Sequence, residues 1–321
     1  MRAIQVTQLG GPEVLQPAEV PDPMPGAGEL LVRTDAIGVN FIDVYFRTGV
    51  YSTELPYIPG KEATGTIVDM ADGVTGFSVG DRVAWALTPS SYAELVRVPV
   101  SAAVPVPAGI DPAVAASALL QGMTAHYLLT SVYAVQEGDT ILVHAGAGGV
   151  GLLLTQLAVA RGARVITTVS TEEKAALSRE SGATEVLRYS SDISAKVREL
   201  TDGEGVAAVY DGVGKDTFDA SLDSVRVRGT LALYGAASGP VPPFDPQRLN
   251  AAGSVFLARP SLAHFVRTRA ELMWRSEEIF TALASGDVRL RIGAEYPLAH
   301  AADAHSDLEG RKTTGSIVLV P

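Results

Sequence analysis

The stretch "HAGAGGVG", His144 to Gly151, places four glycines in eight positions between the apolar runs Ile141-Leu142-Val143 and Leu152-Leu153-Leu154. Removing side chains where a buried strand meets a helix lets something else approach the backbone. Gly146, Gly148 and Gly151 match GxGxxG, whose glycines permit a tight turn, close approach of a pyrophosphate and close helix-strand packing. The helix start then offers unpaired amides and the positive end of its dipole to an anion. Glycine-rich turns also serve as plain connectors, so the strand-turn-helix context carries the reading of dinucleotide binding.

The surrounding pattern agrees. From about Ala113 the chain turns helical in "PAVAASALLQGMTAHYLLTSV", and strands then alternate with helices. The spacing predicts strands over 140–144, 164–169, 185–189, 207–210 and 230–234, and helices over 150–161 and 172–181. That alternation defines an α/β class with right-handed crossovers and a doubly wound, Rossmann-type parallel sheet. Before it, "ELLVRTDAIGVN", "EATGTIVDM", "GDRVAWAL" and "SYAELVRVPV" read as short strands broken by Gly, Pro and Asp. After it come one long helix, roughly Leu262 to Ser285, strand-like "VRLRIG", and "GSIVLVP", expected to return to the β-rich part.

At 321 residues the chain exceeds the usual size of one core, and two domains are expected. Hydrophobic residues make up 47% and charged residues 19%, enough apolar surface for burial without extensive disorder. Asp and Glu number 36 against 25 Lys and Arg, and a net charge of −11 counts against nucleic acid and anionic membrane as partners. The amino-terminal residues lack the apolar core of a signal peptide, no run is long enough to span a bilayer, and a cytoplasmic location is expected. There are no cysteines, which excludes disulfides and thiolate-held zinc.

An NAD site normally carries Asp or Glu at the end of the second strand to bind the ribose hydroxyls. Ser170 stands there, and "VSTEEK" adds Lys174, so the choice falls on NADPH, with Glu172 and Glu173 weighing the other way. Ser170 with Glu173 also reads as a capping box for the next helix. Tyr189, "YDGVG" and "LYGAASG", which contains Tyr234, end later strands at the carboxyl edge where such sheets bind ligands.

Together, "GDTILVHAGAGGVGLLLTQ", "GVNFIDVYFRTGVY", "PGKEATGTIV", "GDRV", "VYDGVG" and "GRKTTGSIVLVP" resemble the zinc-independent quinone oxidoreductases of the medium-chain dehydrogenase/reductase superfamily, the zeta-crystallin-like group. The likeness runs end to end. It departs at Val159, where a basic residue is usual, and at Gly146, where alanine is common; both read as packing variation. The resemblance implies a GroES-like substrate and catalytic domain over 1–122, completed by 263–321, and a Rossmann domain over 123–262. It implies that Gly148, Gly149 and Val150 contact the pyrophosphate, and that Lys174, Tyr189 and Arg311, with Ser170, surround the 2′-phosphate. Tyr234 is taken as a further cofactor contact. Asn40, Tyr45 and Tyr51, with Thr124, would line the nicotinamide and substrate side, and a homodimer is implied, through an edge strand near "GSVFLAR".

No metal is expected, since Lys61 precedes Glu62 where zinc relatives carry a ligand histidine. His144 reads as structural, and His300 and His305 as surface residues. Without a Lewis acid the chemistry suits acceptors that take hydride readily, quinones or enones, in an interdomain cleft, with Tyr51, Tyr45 or Asn40 bonding the acceptor oxygen. An enone or enoyl reductase, a non-catalytic NADPH-binding protein of the crystallin or sensor kind, and, last, an RNA-binding protein are the alternatives.

Overall fold

Ile141, Leu142 and Val143 are fully buried, and so is every residue of Val206–Asp211. A strand covered on both faces has no solvent side to alternate toward, which is why these segments read as unbroken apolar runs. In the computed structural model, which describes residues 1–189 and 192–321, they are adjacent at the centre of a six-stranded sheet. Its spatial order is Glu185–Arg188, Arg164–Val169, Thr140–Val143, Val206–Asp211, Val225–Leu233, Phe256–Ala258. Every neighbouring pair is parallel. Numbered along the chain this is the order 3-2-1-4-5-6, with its reversal between Thr140–Val143 and Val206–Asp211; ligands bind such sheets at that reversal.

The chain forms two units, Met1–Met123 with Val266–Pro321, and Thr124–Phe265. The sheet just described belongs to the second. In the first, the eleven-residue strand Glu29–Val39 is the organiser. Along one side it pairs antiparallel with Glu62–Met70. Along the other, Glu29–Arg33 pairs with Leu95–Pro99, and Ile37–Val39 with Ser316–Val320. The carboxyl-terminal strand therefore returns to the β-rich unit as expected. A core of Ile4, Leu30, Ile37, Trp85, Tyr92 and Leu319, with their neighbours, fills this unit.

Four helices matter for the site: α1 (Phe41–Arg47), α2 (Pro112–Tyr127), α3 (Gly149–Val159) and α4 (Glu172–Glu180). Two local expectations need correction. The long helix after Leu262 is two, Leu262–Phe265 and Arg269–Ser285, because Thr268 and Glu271 close a capping box that starts a new helix. The strand expected at "VRLRIG" lies later, at Ile292–Pro297, where it pairs parallel with Ser316–Val320. No helix among the described residues is long and apolar enough to cross a membrane.

Candidate functional site

α3 starts from Gly148, whose backbone is extended (φ −80°, ψ 169°) and whose position carries no side-chain cap. The first amides of the helix are left for an outside acceptor. The three glycines of the turn do different work. A Cβ on Gly146 would lie 2.6 Å from Thr167 Cβ and 2.9 Å from Ser178 Oγ, so this glycine lets the loop pack on the second strand and α4. Thr167 and Ser178 already fill the space that a side chain at Gly146 would need. A Cβ on Gly151 would collide with the Ala145 carbonyl. On Gly148 it would meet only that carbonyl, at 3.3 Å, so this is the open face of the shelf. Val159, the other departure, packs against Gly182.

The shelf is braced from its own unit. The Ala145 amide donates to the Tyr189 hydroxyl at 2.9 Å, and the His144 ring stacks against Tyr189 at 6.2 Å. Tyr189, expected at the 2′-phosphate, is thus placed against the glycine loop. His144 is structural: its Nδ1 meets Thr168 Oγ1 at 2.8 Å and its Nε2 meets Ser221 Oγ at 3.0 Å. Burial holds its pKa below the usual value. Ser221 and Thr217 donate to Asp211, whose Oδ1 also accepts from the amides of Val213 and Gly214. Asp211 therefore fixes the "YDGVG" loop at the sheet reversal, a role the sequence reading missed. In that loop Gly212 makes room for the Tyr234 ring, to which an added Cβ would come within 2.8 Å.

At the end of the second strand Ser170 is exposed, and its carbonyl accepts from Arg188 Nη2 at 2.6 Å. The capping box expected from Ser170 and Glu173 does not form. Thr171 is the cap, accepting from the Lys174 amide at 3.2 Å, because the helix starts one residue later than that box requires. Ser170 is left clear of cap duty, with Lys174 half-buried at N3 and Arg188 alongside. Arg188 is a second missed residue; its signal was a basic residue ending the third strand of a nucleotide-binding sheet. An uncapped helix start, a bare shelf and a strand end without a carboxylate fit a 2′-phosphorylated dinucleotide.

In the first unit Asn40 caps α1, and its amide N–H donates to Asp43 Oδ2 at 2.9 Å. Tyr51 stands edge-on to Tyr45 at 5.4 Å and to Phe46 at 5.5 Å, and its amide donates to the Tyr45 carbonyl. The structure thus brings Asn40, Tyr45 and Tyr51 onto one helix and the turn that follows it. Thr124 is buried on α2, Arg311 is exposed, and each belongs to a different unit.

Behind α1 lies a buried polar cluster. Tyr92 donates to Asp43 at 3.1 Å and lies 3.0 Å from His305 Nε2; Arg47 pairs with Glu309. Burial raises the Asp43 pKa to about 7 and lowers that of His305 to about 3. His305 is fully buried, which corrects its expected surface position; His300 is exposed and pairs with Asp303. The helix Ala301–Glu309 turns His305 inward beside Ala301 and Ala304. Lys61 lies 4.6 Å from the Phe46 ring centre, with its pKa lowered by burial. An ammonium there suits no metal ligand set, and no group of three His, Cys, Asp or Glu among the described residues could hold a metal ion.

A doubly wound nucleotide shelf joined in one chain to a β-rich unit of this kind defines a medium-chain dehydrogenase/reductase. Residues 26–108 match the alcohol dehydrogenase GroES-like domain, and 149–275 the zinc-binding dehydrogenase family. The chain is 44% identical to a quinone oxidoreductase of Pseudomonas aeruginosa, over 100% of this chain and 99% of that one. It is 40% identical to a 2-haloacrylate reductase of a Burkholderia species, over 99% and 98%. Among solved structures, a mycobacterial protein complexed with NADPH superposes with TM-score 0.98 at 59% identity, all of both chains covered. The Escherichia coli quinone oxidoreductase complexed with NADPH does so with TM-score 0.98 at 39%, again over both chains in full. The chain belongs to the quinone oxidoreductase family of that superfamily.

Proposed function

We propose that this protein reduces quinones with NADPH, by hydride transfer without a metal. The observation that carries the reading is the open shelf at Gly148, at the start of an uncapped helix and followed at the second strand end by Ser170 in place of an acid. Bound NADPH supplies the hydride, so the protein's part is to bind, orient and exclude water. The open face of Gly148 and the amides of Gly149 and Val150 hold the pyrophosphate, the Gly148 amide itself donating to the Ala145 carbonyl. Ser170, Lys174 and Arg188 meet the 2′-phosphate, and Tyr189 braces the loop. Arg311, Thr124 and Tyr234 join the cofactor contacts on the strength of the family resemblance. In this reading Thr124–Phe265 is the dinucleotide unit and the other is the substrate unit.

Asn40 and Tyr51 bond the acceptor oxygen, and Tyr45 holds Tyr51 edge-on. As hydride reaches the ring, negative charge gathers on that oxygen, and a donor waiting there lowers the barrier. A proton from Tyr51 or solvent completes the hydroquinone.

Among the described residues the edge strand Phe256–Ala258 pairs on one side only, with Phe256 64% exposed, which supports pairing with a second copy as a homodimer. A cytoplasmic location is the default reading, and the cysteine-free composition is in keeping with it. The 2-haloacrylate reductase relative favours one second reading, reduction of a carbonyl-conjugated alkene. Oxidation of NADPH, followed by nicotinamide absorbance against a panel of quinones and enones, separates the two. Failure with every acceptor would sink both. Tyr51→Phe with undiminished turnover would remove Tyr51 from its role.

A further inference from the structure

Four side chains from separated parts of the sequence form one directed chain in the first unit. Glu62 Oε1 accepts from the Leu120 amide at 2.6 Å, and its Oε2 accepts from Asn40 Nδ2 at 2.9 Å. Asn40 Oδ1 accepts from Gln121 Nε2 at 3.0 Å, and Gln121 Oε1 accepts from Ser316 Oγ at 2.7 Å. All four residues are buried, and Glu62 completely so. The absence of a side chain at Gly38 makes room for it: a Cβ there would lie 2.7 Å from Glu62 Oε2.

An amide has the same outline either way round, so shape does not decide which end of Asn40 or Gln121 points where. The carboxylate at the head of the chain does. Ionised, it carries no hydrogen, so Nδ2 must face it; Oδ1 then faces Gln121, and each later link follows. Turning Asn40 over would set two oxygens against each other. With its bonds to Glu62 and Gln121 made, Asn40 keeps one Nδ2 hydrogen to give.

We infer that Glu62 is a positioning residue for the reaction, its carboxylate fixing Asn40 as a hydrogen-bond donor toward the acceptor oxygen. The inference rests on the assignment of Asn40 to that oxygen. Protonated, Glu62 would itself donate to Oδ1, the amide would turn, and Asn40 would present a carbonyl that repels the acceptor. The groups facing Glu62 are Asp43 from α1, which raises its pKa, and the amides of Leu119 and Leu120 from α2, which lower it. Its neighbours on the adjoining strands, Ala86 and Gly38, are uncharged. Burial dominates and pushes the carboxyl up to about 8, so both forms are reachable in an assay.

The test compares wild type, Glu62→Gln, Asn40→Ala and the double variant in quinone kcat/KM across the pH range that spans the Glu62 transition, with thermal unfolding as the check on folding. Glu62→Gln is expected to lose about tenfold on the alkaline side and to converge on wild type as pH falls, because its amide sets no direction. The double variant is expected to be no worse than Asn40→Ala alone. A wild-type to Glu62→Gln ratio that is constant with pH, or additive losses in the double variant, overturns the inference. Undiminished activity in Asn40→Ala refutes the role of Asn40 itself; a loss in Asn40→Ala with none in Glu62→Gln refutes only the positioning. Should Glu62→Gln not fold, Gln121→Glu puts a carboxylate at the opposite side of Asn40. The same alkaline loss is expected from it, and an unaltered pH profile overturns the inference.

Discussion

Gly148 and Gly151 lie three residues apart in one turn, yet a methyl group on each should act on a different property. At Gly151 it enters the Ala145 carbonyl and comes within 3.0 Å of Gly146 Cα, both backbone atoms that cannot swing aside. Overpacking against fixed atoms costs about 1–3 kcal/mol. For a unit of this size that is a fall in Tm of about 2–4 °C per kcal/mol. At Gly148 the methyl meets only one oxygen at 3.3 Å, and the extended φ and ψ suit any residue. The stability loss is then that of a poorer helix cap, at most ~1 kcal/mol. The same methyl stands on the open face where the pyrophosphate is to lie, and holding the phosphates off by its width should weaken NADPH at least tenfold, about 1.4 kcal/mol. Calorimetric titration with NADPH and thermal unfolding of both variants give the four numbers. Native affinity in Gly148→Ala would refute the shelf, and native stability in Gly151→Ala would refute the packing argument.

Lys174→Ala should weaken NADPH about tenfold and leave NADH unchanged, the difference shrinking with added salt; equal loss for both coenzymes would show that Lys174 does not read the 2′-phosphate. His305 is neutral in the fold with its pKa lowered to about 3, so the unfolded chain alone takes up its proton as pH drops below about 6.5, and the native state loses about 1.4 kcal/mol per pH unit down to the folded value. Denaturant titrations should show His305→Gln escaping that part of the acid loss, and parallel pH profiles for the two proteins would contradict it. Thr268→Ala removes the cap that starts Arg269–Ser285 and should lower stability by about 1 kcal/mol in the same titrations.

The parallel sheet was legible because its evidence is local: runs buried on both faces, glycines at a strand end, and alternation with helical spacing. Boundaries were harder. Ser170 and Thr171 are adjacent hydroxyls, either of which suits a cap, and only the helix start decides between them. The break at Thr268 was written in the sequence as Thr-x-x-Glu, but the apolar spacing on either side masked it. His305 was misplaced because a histidine in a polar helix looks solvent-facing; its register with Leu298, Ala301 and Ala304 was the available signal. Glu62, Gln121 and Ser316 could not be joined to Asn40 from sequence at all. They lie on different strands and helices, and only the folded unit brings them together.

The strand Glu29–Val39 has a consequence for how the molecule is made. Part of its second edge, Ile37–Val39, is completed by residues 317–319, which are made only after the whole of the other unit. Thr124–Phe265 is continuous in the chain and can fold as it emerges, whereas the β-rich unit must wait, incomplete, until Val266–Pro321 has followed. During that interval Ile37 and Val39 present an unpaired strand edge, the stretch of nascent chain a chaperone would do best to cover.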